Sequence, residues 1–199
     1  DVRVTTLFFQ GFLLPVWFMV PLLTMRSIAE ERRGGTLETL LTTPVSPLQV
    51  VLAKFSAAYL FYLGMWALTL GFPLILEMRE PEIARVAQVY DAPSLYGGMA
   101  FIALTGTLYI ALGLFCSSLT RSQLISGLLT FCLLFFLTMG SWLVEKYELI
   151  NIQSLQGLQE PAQYLQTFQH LEDFSRGVID SRPFMLYLSN AALLLGLTT

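Results

Sequence analysis

The chain has 199 residues, of which 55% are hydrophobic, 13% are aromatic and only 13% are charged. A soluble domain of this length has too little interior to bury so much apolar surface, so the composition indicates a membrane protein. The formal net charge of −3 and the lack of any run of basic residues argue against nucleic acid as a partner.

Five charge-free stretches approach the roughly 20 residues with which a helix crosses the hydrocarbon core of a bilayer. With their flanks they predict an all-α integral membrane protein with one transmembrane domain, 1–199, and spans at about 4–25, 50–76, 95–119, 122–144 and 183–199. Two longer connectors, 77–94 and 145–182, are expected to lie on the same side of the membrane. Because the chain begins with Asp1 rather than Met, we expect its natural beginning to lie upstream.

The first span should be kinked, because it contains Pro15 and Pro21. Membrane helices tolerate proline where neighbouring groups satisfy the freed carbonyls. Beyond this span the chain becomes highly charged, and Gly34 and Gly35 are expected to break the helix that extends from it.

A short amphipathic helix is predicted over 36–43, with an apolar stripe of Leu37, Leu40 and Leu41. Pro44 should end it. The second span is expected to begin near Pro47, because proline suits the first turn of a helix and Ser46 with Gln49 resembles a capping box.

The connector 145–182 is longer than a simple loop requires. Within it, Tyr164, Phe168 and Leu171 recur at helical spacing and predict a helix that lies in the membrane interface or dips into the membrane. An extracytoplasmic cap over the spans is the alternative. Tyr187, near the start of the last span, is expected to be an aromatic anchor at the membrane surface.

Small residues follow one face of the third span and predict close packing rather than a site: Ala103, Gly106, Gly113 and Ser117. Cys116 and Cys132 both lie in apolar stretches, where buried thiols are expected instead of a disulfide or a metal site.

No catalytic chemistry is indicated by the sequence. The single histidine, His170, has no second ligand or nucleophile at a telling spacing and is expected to be solvated or interfacial. The chain has no G-x-x-x-x-G-K-[ST] phosphate loop, and its charge-free stretches give no ion-coupling groups within the spans. We therefore expect a protein that is not an enzyme and binds no cofactor of its own.

The basic residues favour one orientation. If the connector between the first two spans is cytoplasmic, the inner segments contain Arg26, Arg32, Arg33, Lys54 and Arg121, while the longer outer segments contain Arg3, Arg79, Arg85, Lys146, Arg176 and Arg182. The counts are similar, but the density is higher in the short inner segments, and it is short loops that orient a chain.

The connector resembles the signature of ABC type-2 transporter permeases in the run EERRGGTLETLLTTPVSPLQVVLAK. Its matching residues are Glu30, Glu31, Arg32, Gly35, Thr36, Leu37, Glu38, Leu40, Leu41, Thr43, Pro44, Val45 and Lys54. The next hairpin of that family is similar to ALGLFCSSLTRSQLISGLL. The approach to the last span in its gliding-motility subgroup resembles LEDFSRGVIDSRPFMLYLS.

The resemblance implies that 36–43 is a cytoplasmic coupling helix that docks on a separate ABC ATPase subunit, which binds ATP and Mg²⁺. It also implies six spans with the amino terminus inside, the first lying upstream of this chain. An exporter of the bacterial cytoplasmic (inner) membrane is implied, with a second permease subunit in a homo- or heterodimer. An auxiliary extracytoplasmic subunit is a further candidate partner. We expect the charged residues before 36–43 to have no buried partner within this chain, which leaves them for the ATPase.

Other interpretations fit parts of the same sequence. An amphipathic linker with no coupling role would also place leucines at helical spacing in 36–43. A non-transporting membrane anchor, or scaffold of a surface or motility assembly, would also couple to an ATPase. A passive channel would need a polar pore face, which these spans do not show.

Overall fold

The structure, a computed structural model, describes residues 4–35, 45–69, 71, 75, 78–80, 82, 92–146, 167–175 and 181–199. Every element in these ranges is an α-helix: α1 (Val4–Thr24), α2 (Ala29–Gly34), α3 (Pro47–Thr69), α4 (Ala92–Leu119), α5 (Gln123–Lys146), α6 (Thr167–Ser175) and α7 (Ser181–Thr198). The predicted all-helical fold is confirmed over these residues.

Three helices of the described chain are long and apolar enough to cross a membrane, by length and composition: Pro47–Thr69, Leu95–Leu119 and Gln123–Gly140. Helices α1 and α7 coincide with the remaining two predicted spans but are not among these three, so the count of five spans stays a prediction. Large apolar side chains are exposed on α3, α5 and α7, among them Leu68, Phe136 and Met185. Such surfaces suit a bundle surrounded by lipid.

Several helix ends differ from the predicted ones. Helix α3 begins at Pro47, as the proline and capping pattern predicts, and is described as far as Thr69. The predicted end of the span at 76 lies outside the described residues. Helix α4 begins at Ala92, within the predicted connector 77–94. Helix α1 is described as one helix that includes Pro15 and Pro21.

Helix α4 lies at the centre of the bundle and contacts all six other helices described. Its buried side chains include Phe101, Leu108, Ile110 and Leu114, which are between 0 and 3% exposed. Burial on all sides explains why the sequence of this helix is apolar around its whole circumference.

Close packing along the small residues of α4 is confirmed. A Cβ atom added at Gly106 would overlap the ring of Tyr62 on α3, and one added at Gly113 would overlap the side chain of Thr24 on α1. Glycine is required at both places because two neighbouring helices approach the α4 backbone directly.

Helix α6 packs at the end of the bundle where α4 begins. It contacts α1, α4 and α5 and buries Thr167, Leu171 and Phe174. The predicted helical segment is therefore present at Thr167–Ser175, but its buried face includes Thr167 and Phe174. Tyr164 of the predicted stripe lies outside the described residues, and the surroundings of the Phe168 side chain are not described.

Two expectations for single side chains are wrong. Tyr187 is not an anchor at the membrane surface, because its ring is buried edge-on against Phe101 and lies beside His170. Cys116 is buried as expected, whereas Cys132 is exposed on α5. His170, which was expected to be solvated or interfacial, is half-buried, and its Nδ1 lies 3.4 Å from the Tyr187 hydroxyl oxygen.

Candidate functional site

The candidate site is built around residues 25–35, which we call the elbow. The elbow consists of the turn Met25–Ile28, directly after α1, and the six-residue helix α2. Gly35 ends α2 with a φ of 69°, a left-handed conformation that glycine adopts without a steric penalty. The predicted break at Gly35 is confirmed, while Gly34 remains the last helical residue.

Ser117 on α4 supplies the cap that α2 lacks locally. No side chain of the elbow accepts a hydrogen bond from the first amides of α2. Instead, the backbone N–H groups of Ile28 and Ala29 both donate to Ser117 Oγ, over 3.1 and 3.0 Å. The hydroxyl also lies 3.4 Å from the Met25 carbonyl oxygen, to which it donates. The amides at the start of a helix need such partners when they are buried, so this contact fixes the elbow to the end of α4.

Two cationic side chains hold the rest of the elbow. Arg32 donates to the carbonyl oxygen of Ser118, just beyond Ser117 on α4. Lys54, in the second turn of α3, donates to the Ser27 carbonyl oxygen and forms an ion pair with Glu31 at 2.7 Å. Charge-assisted hydrogen bonds of this kind are among the stronger ones.

These contacts correct one expectation from the sequence. The elbow was expected to have no buried partner within the chain, but Ile28 and Ala29 are 7% and 0% exposed. Glu31 and Arg32 are likewise engaged by α3 and α4. The physical reason is that α2 folds back under the bundle, where the ends of α3 and α4 offer a carbonyl, a hydroxyl and an ammonium group.

The start of α3 has the capping geometry that its sequence predicts. The Ser46 backbone N–H donates to Gln49 Oε1 at 3.0 Å, and the Gln49 backbone N–H lies 3.3 Å from Ser46 Oγ. This reciprocal pair fixes the point at which the chain enters α3. The connector 36–44 is thus bounded by a left-handed glycine on one side and a capped helix on the other.

A cavity of about 170 Å³ lies between the elbow and the ends of α3, α4 and α7. We call it the elbow pocket. Its polar lining includes Glu31, Arg32, Lys54 and Ser118, and the end of α7 closes it with Thr198 and Thr199. Ile28, Val50 and Val51 supply apolar lining. The pocket therefore combines charged and apolar walls at one end of the bundle.

Five of the predicted coupling residues lie within the described chain. Glu31, which is half-buried, and Arg32, which is exposed, line the elbow pocket, whereas Glu30, Gly35 and Val45 are exposed and do not line it. The other seven lie outside the described residues: Thr36, Leu37, Glu38, Leu40, Leu41, Thr43 and Pro44. Their role in an ATPase contact stays a prediction.

The most consequential residue that the sequence did not single out as part of this site is Ser117. The small-residue pattern placed it correctly against a neighbouring helix but assigned it to packing alone. The useful signal was chemical, since Ser117 is the one member of that stripe with a hydroxyl and it lies in the last turn of its helix. Lys54 was named among the inner basic residues and as the end of the family signature, but without its partner.

The chain matches the family described as ABC-2 family transporter protein over residues 3–168. That range includes the elbow, the connector, α3, α4 and α5. Searches of curated proteins and of solved structures returned no match. Since the matched range is most of the chain, and the helices within it are those of an apolar bundle, this protein belongs to the ABC-2 transporter family, whose members are membrane components of transporters.

Proposed function

We propose that this chain is the permease subunit of an ATP-driven ABC transporter and that segment 36–43 docks on a separate ATPase subunit. The observation that carries the proposal is the double attachment of the elbow. Ser117 fixes its start to α4, and Lys54 links its Glu31 to α3. A helix that had only to link two spans would not need both attachments.

The attachments suggest how a push on 36–43 would be transmitted. The segment follows Gly35 directly, so displacing it would pull on α2, which hydrogen bonds hold against the ends of α3 and α4. Helix α4 contacts every other described helix. Motion of the elbow would therefore reach the whole bundle through α4, not only through the two spans that flank the connector.

The partners follow from the same proposal. ATP and Mg²⁺ would be bound by the ATPase subunit, because this chain has no phosphate loop of its own. A second permease subunit would complete the membrane domain. Export from the cytoplasm and a relationship to the gliding-motility subgroup rest on the sequence resemblance and are proposed on that ground. The bacterial inner membrane is proposed as the location for the same reason.

The test removes the apolar stripe of the coupling segment with the double substitution Leu37→Ala and Leu41→Ala. If both leucines are buried against the ATPase, their loss should cost about 2 to 5 kcal/mol of binding free energy. We expect the variant to insert into the membrane normally but to lose stimulation of ATP hydrolysis in the co-purified subunit.

The matched control is Leu60→Ala with Leu68→Ala. It also removes two leucine side chains, but both are exposed on α3, 68% and 77%, away from the elbow. The control should retain ATPase stimulation. Wild-type binding and stimulation in the Leu37 and Leu41 variant would show that 36–43 is not the coupling element.

A further inference from the structure

The elbow pocket contains two cationic side chains from different helices. Arg32 reaches it from α2 and Lys54 from α3, and one carboxylate, Glu31, lies between the two helices. We propose that this pocket binds the phosphate group of an anionic phospholipid, with Arg32 and Lys54 as hydrogen-bond donors.

Both cations retain donors for such a ligand. Lys54 has three N–H groups, and the described residues account for two of them, at the Ser27 carbonyl and at Glu31. Arg32 has five N–H donors and uses one nitrogen for the Ser118 carbonyl. Their existing contacts fix the two side chains in place, so a bound phosphate would meet donors that are already oriented.

The size of the pocket suits a phosphate group. A volume of about 170 Å³ holds roughly six water molecules at about 30 Å³ each. Pockets that enclose whole small molecules start near about 300 Å³. The elbow pocket can therefore take a phosphate with its nearest waters.

The surroundings favour a lipid over a free phosphate ion. Val50 and Val51 give the pocket an apolar wall. Exposed leucines are the sequence neighbours of lining residues on two helices: Leu48 and Leu52 on α3, and Leu197 on α7. An acyl chain could lie against these side chains while the phosphate occupies the polar end. A free phosphate would gain nothing from them.

The experiment uses the full chain, purified in detergent with an equimolar mixture of phosphatidylglycerol and phosphatidylcholine. Retained lipids are counted by native mass spectrometry at about 0.5 M salt, where the attraction between exposed charges that are not in direct contact is largely screened. We expect wild-type protein to retain phosphatidylglycerol preferentially. Arg32→Gln should lower that preference about tenfold, the effect of one charge-assisted hydrogen bond.

Arg33→Gln is the matched control, because Arg33 is the next residue of α2 and is exposed like Arg32, but does not line the pocket. It should leave the preference unchanged. Glu31→Gln should strengthen the preference for phosphatidylglycerol, because the substitution removes the carboxylate that competes for Lys54. A misfolded variant would not show a stronger preference.

Three outcomes would overturn the proposal. In the first, Arg32→Gln and Arg33→Gln lower the preference for phosphatidylglycerol equally. In the second, the wild type shows no such preference. In the third, about 10 mM inorganic phosphate displaces the lipid. The first would indicate a diffuse basic surface, and the last a site for the free ion. None of them bears on ATPase coupling.

Discussion

Ser117→Ala tests whether α4 holds the elbow. The substitution removes the acceptor for two backbone amides, those of Ile28 and Ala29. Ala29 is fully buried, so its N–H would remain unpaired at a cost of about 1 to 3 kcal/mol. Ile28 is slightly exposed, so losing the hydrogen bond of its N–H should cost about as much as losing an ordinary helix cap, about 0.5 to 2 kcal/mol. Together these two losses should destabilise the elbow locally by about 1.5 to 5 kcal/mol.

Amide hydrogen exchange in the peptide 25–35 measures this directly. A loss of about 1.5 to 5 kcal/mol should speed exchange at Ile28 and Ala29 by about 10- to 5000-fold, where exchange follows local opening. Ser118→Ala is the control, because the Ser118 hydroxyl donates only within its own helix, to the Phe115 carbonyl at 2.7 Å. Exchange at the wild-type rate in Ser117→Ala would refute the proposed attachment.

Two further predictions concern packing and charge around the same contacts. Gly113→Ala should lower the thermal midpoint of unfolding in detergent and cost about 1 to 3 kcal/mol, because the new Cβ overlaps the buried Thr24. The control Gly64→Ala should not lower the midpoint, because Gly64 has open space around it. Equal midpoints for the two variants would contradict the close approach of α1 and α4. In a double-mutant cycle, Lys54→Gln and Glu31→Gln should show a coupling energy of about 0.5 to 1 kcal/mol in the free energy of unfolding, as for a partly exposed ion pair. Additive effects of the two substitutions would mean that the ion pair contributes nothing to stability.

Local chemistry made the ends of the connector predictable from the sequence. The capping pair of Ser46 and Gln49 and the left-handed turn at Gly35 depend on residues within a few positions of each other. Glycine, proline and hydroxyl side chains restrict the backbone in ways that leave a clear pattern. These predictions were confirmed to within one residue.

Contacts between distant parts of the chain were not predictable in the same way. Ile28 and Ser117 are 89 residues apart, and Lys54 and Glu31 are 23 apart. No periodicity links them, since their meeting depends on how the helices are arranged. An apolar sequence also does not reveal which side of a helix faces protein, and the exposed Cys132 was placed inside for that reason.

The buried position of Tyr187 has a similar cause. An aromatic residue near a predicted span end suits a surface anchor, but α6 packs beside the start of α7. His170 on α6 and Phe101 on α4 therefore enclose the ring. The sequence indicated a helix before the last span, but not that this helix would pack beside the start of α7.

The central claim, that 36–43 contacts an ATPase subunit, is tested most directly by crosslinking. A single cysteine is introduced at Glu38 in the full chain, on a background in which Cys132 is replaced by Ser, and a short bifunctional reagent is applied to membranes that contain the partner subunit. We predict a crosslink to the ATPase subunit, and none from a cysteine at Leu60. Modification of the Glu38 cysteine by an impermeant reagent added outside intact cells would contradict the account, because it would place the connector on the side where no ATPase can dock.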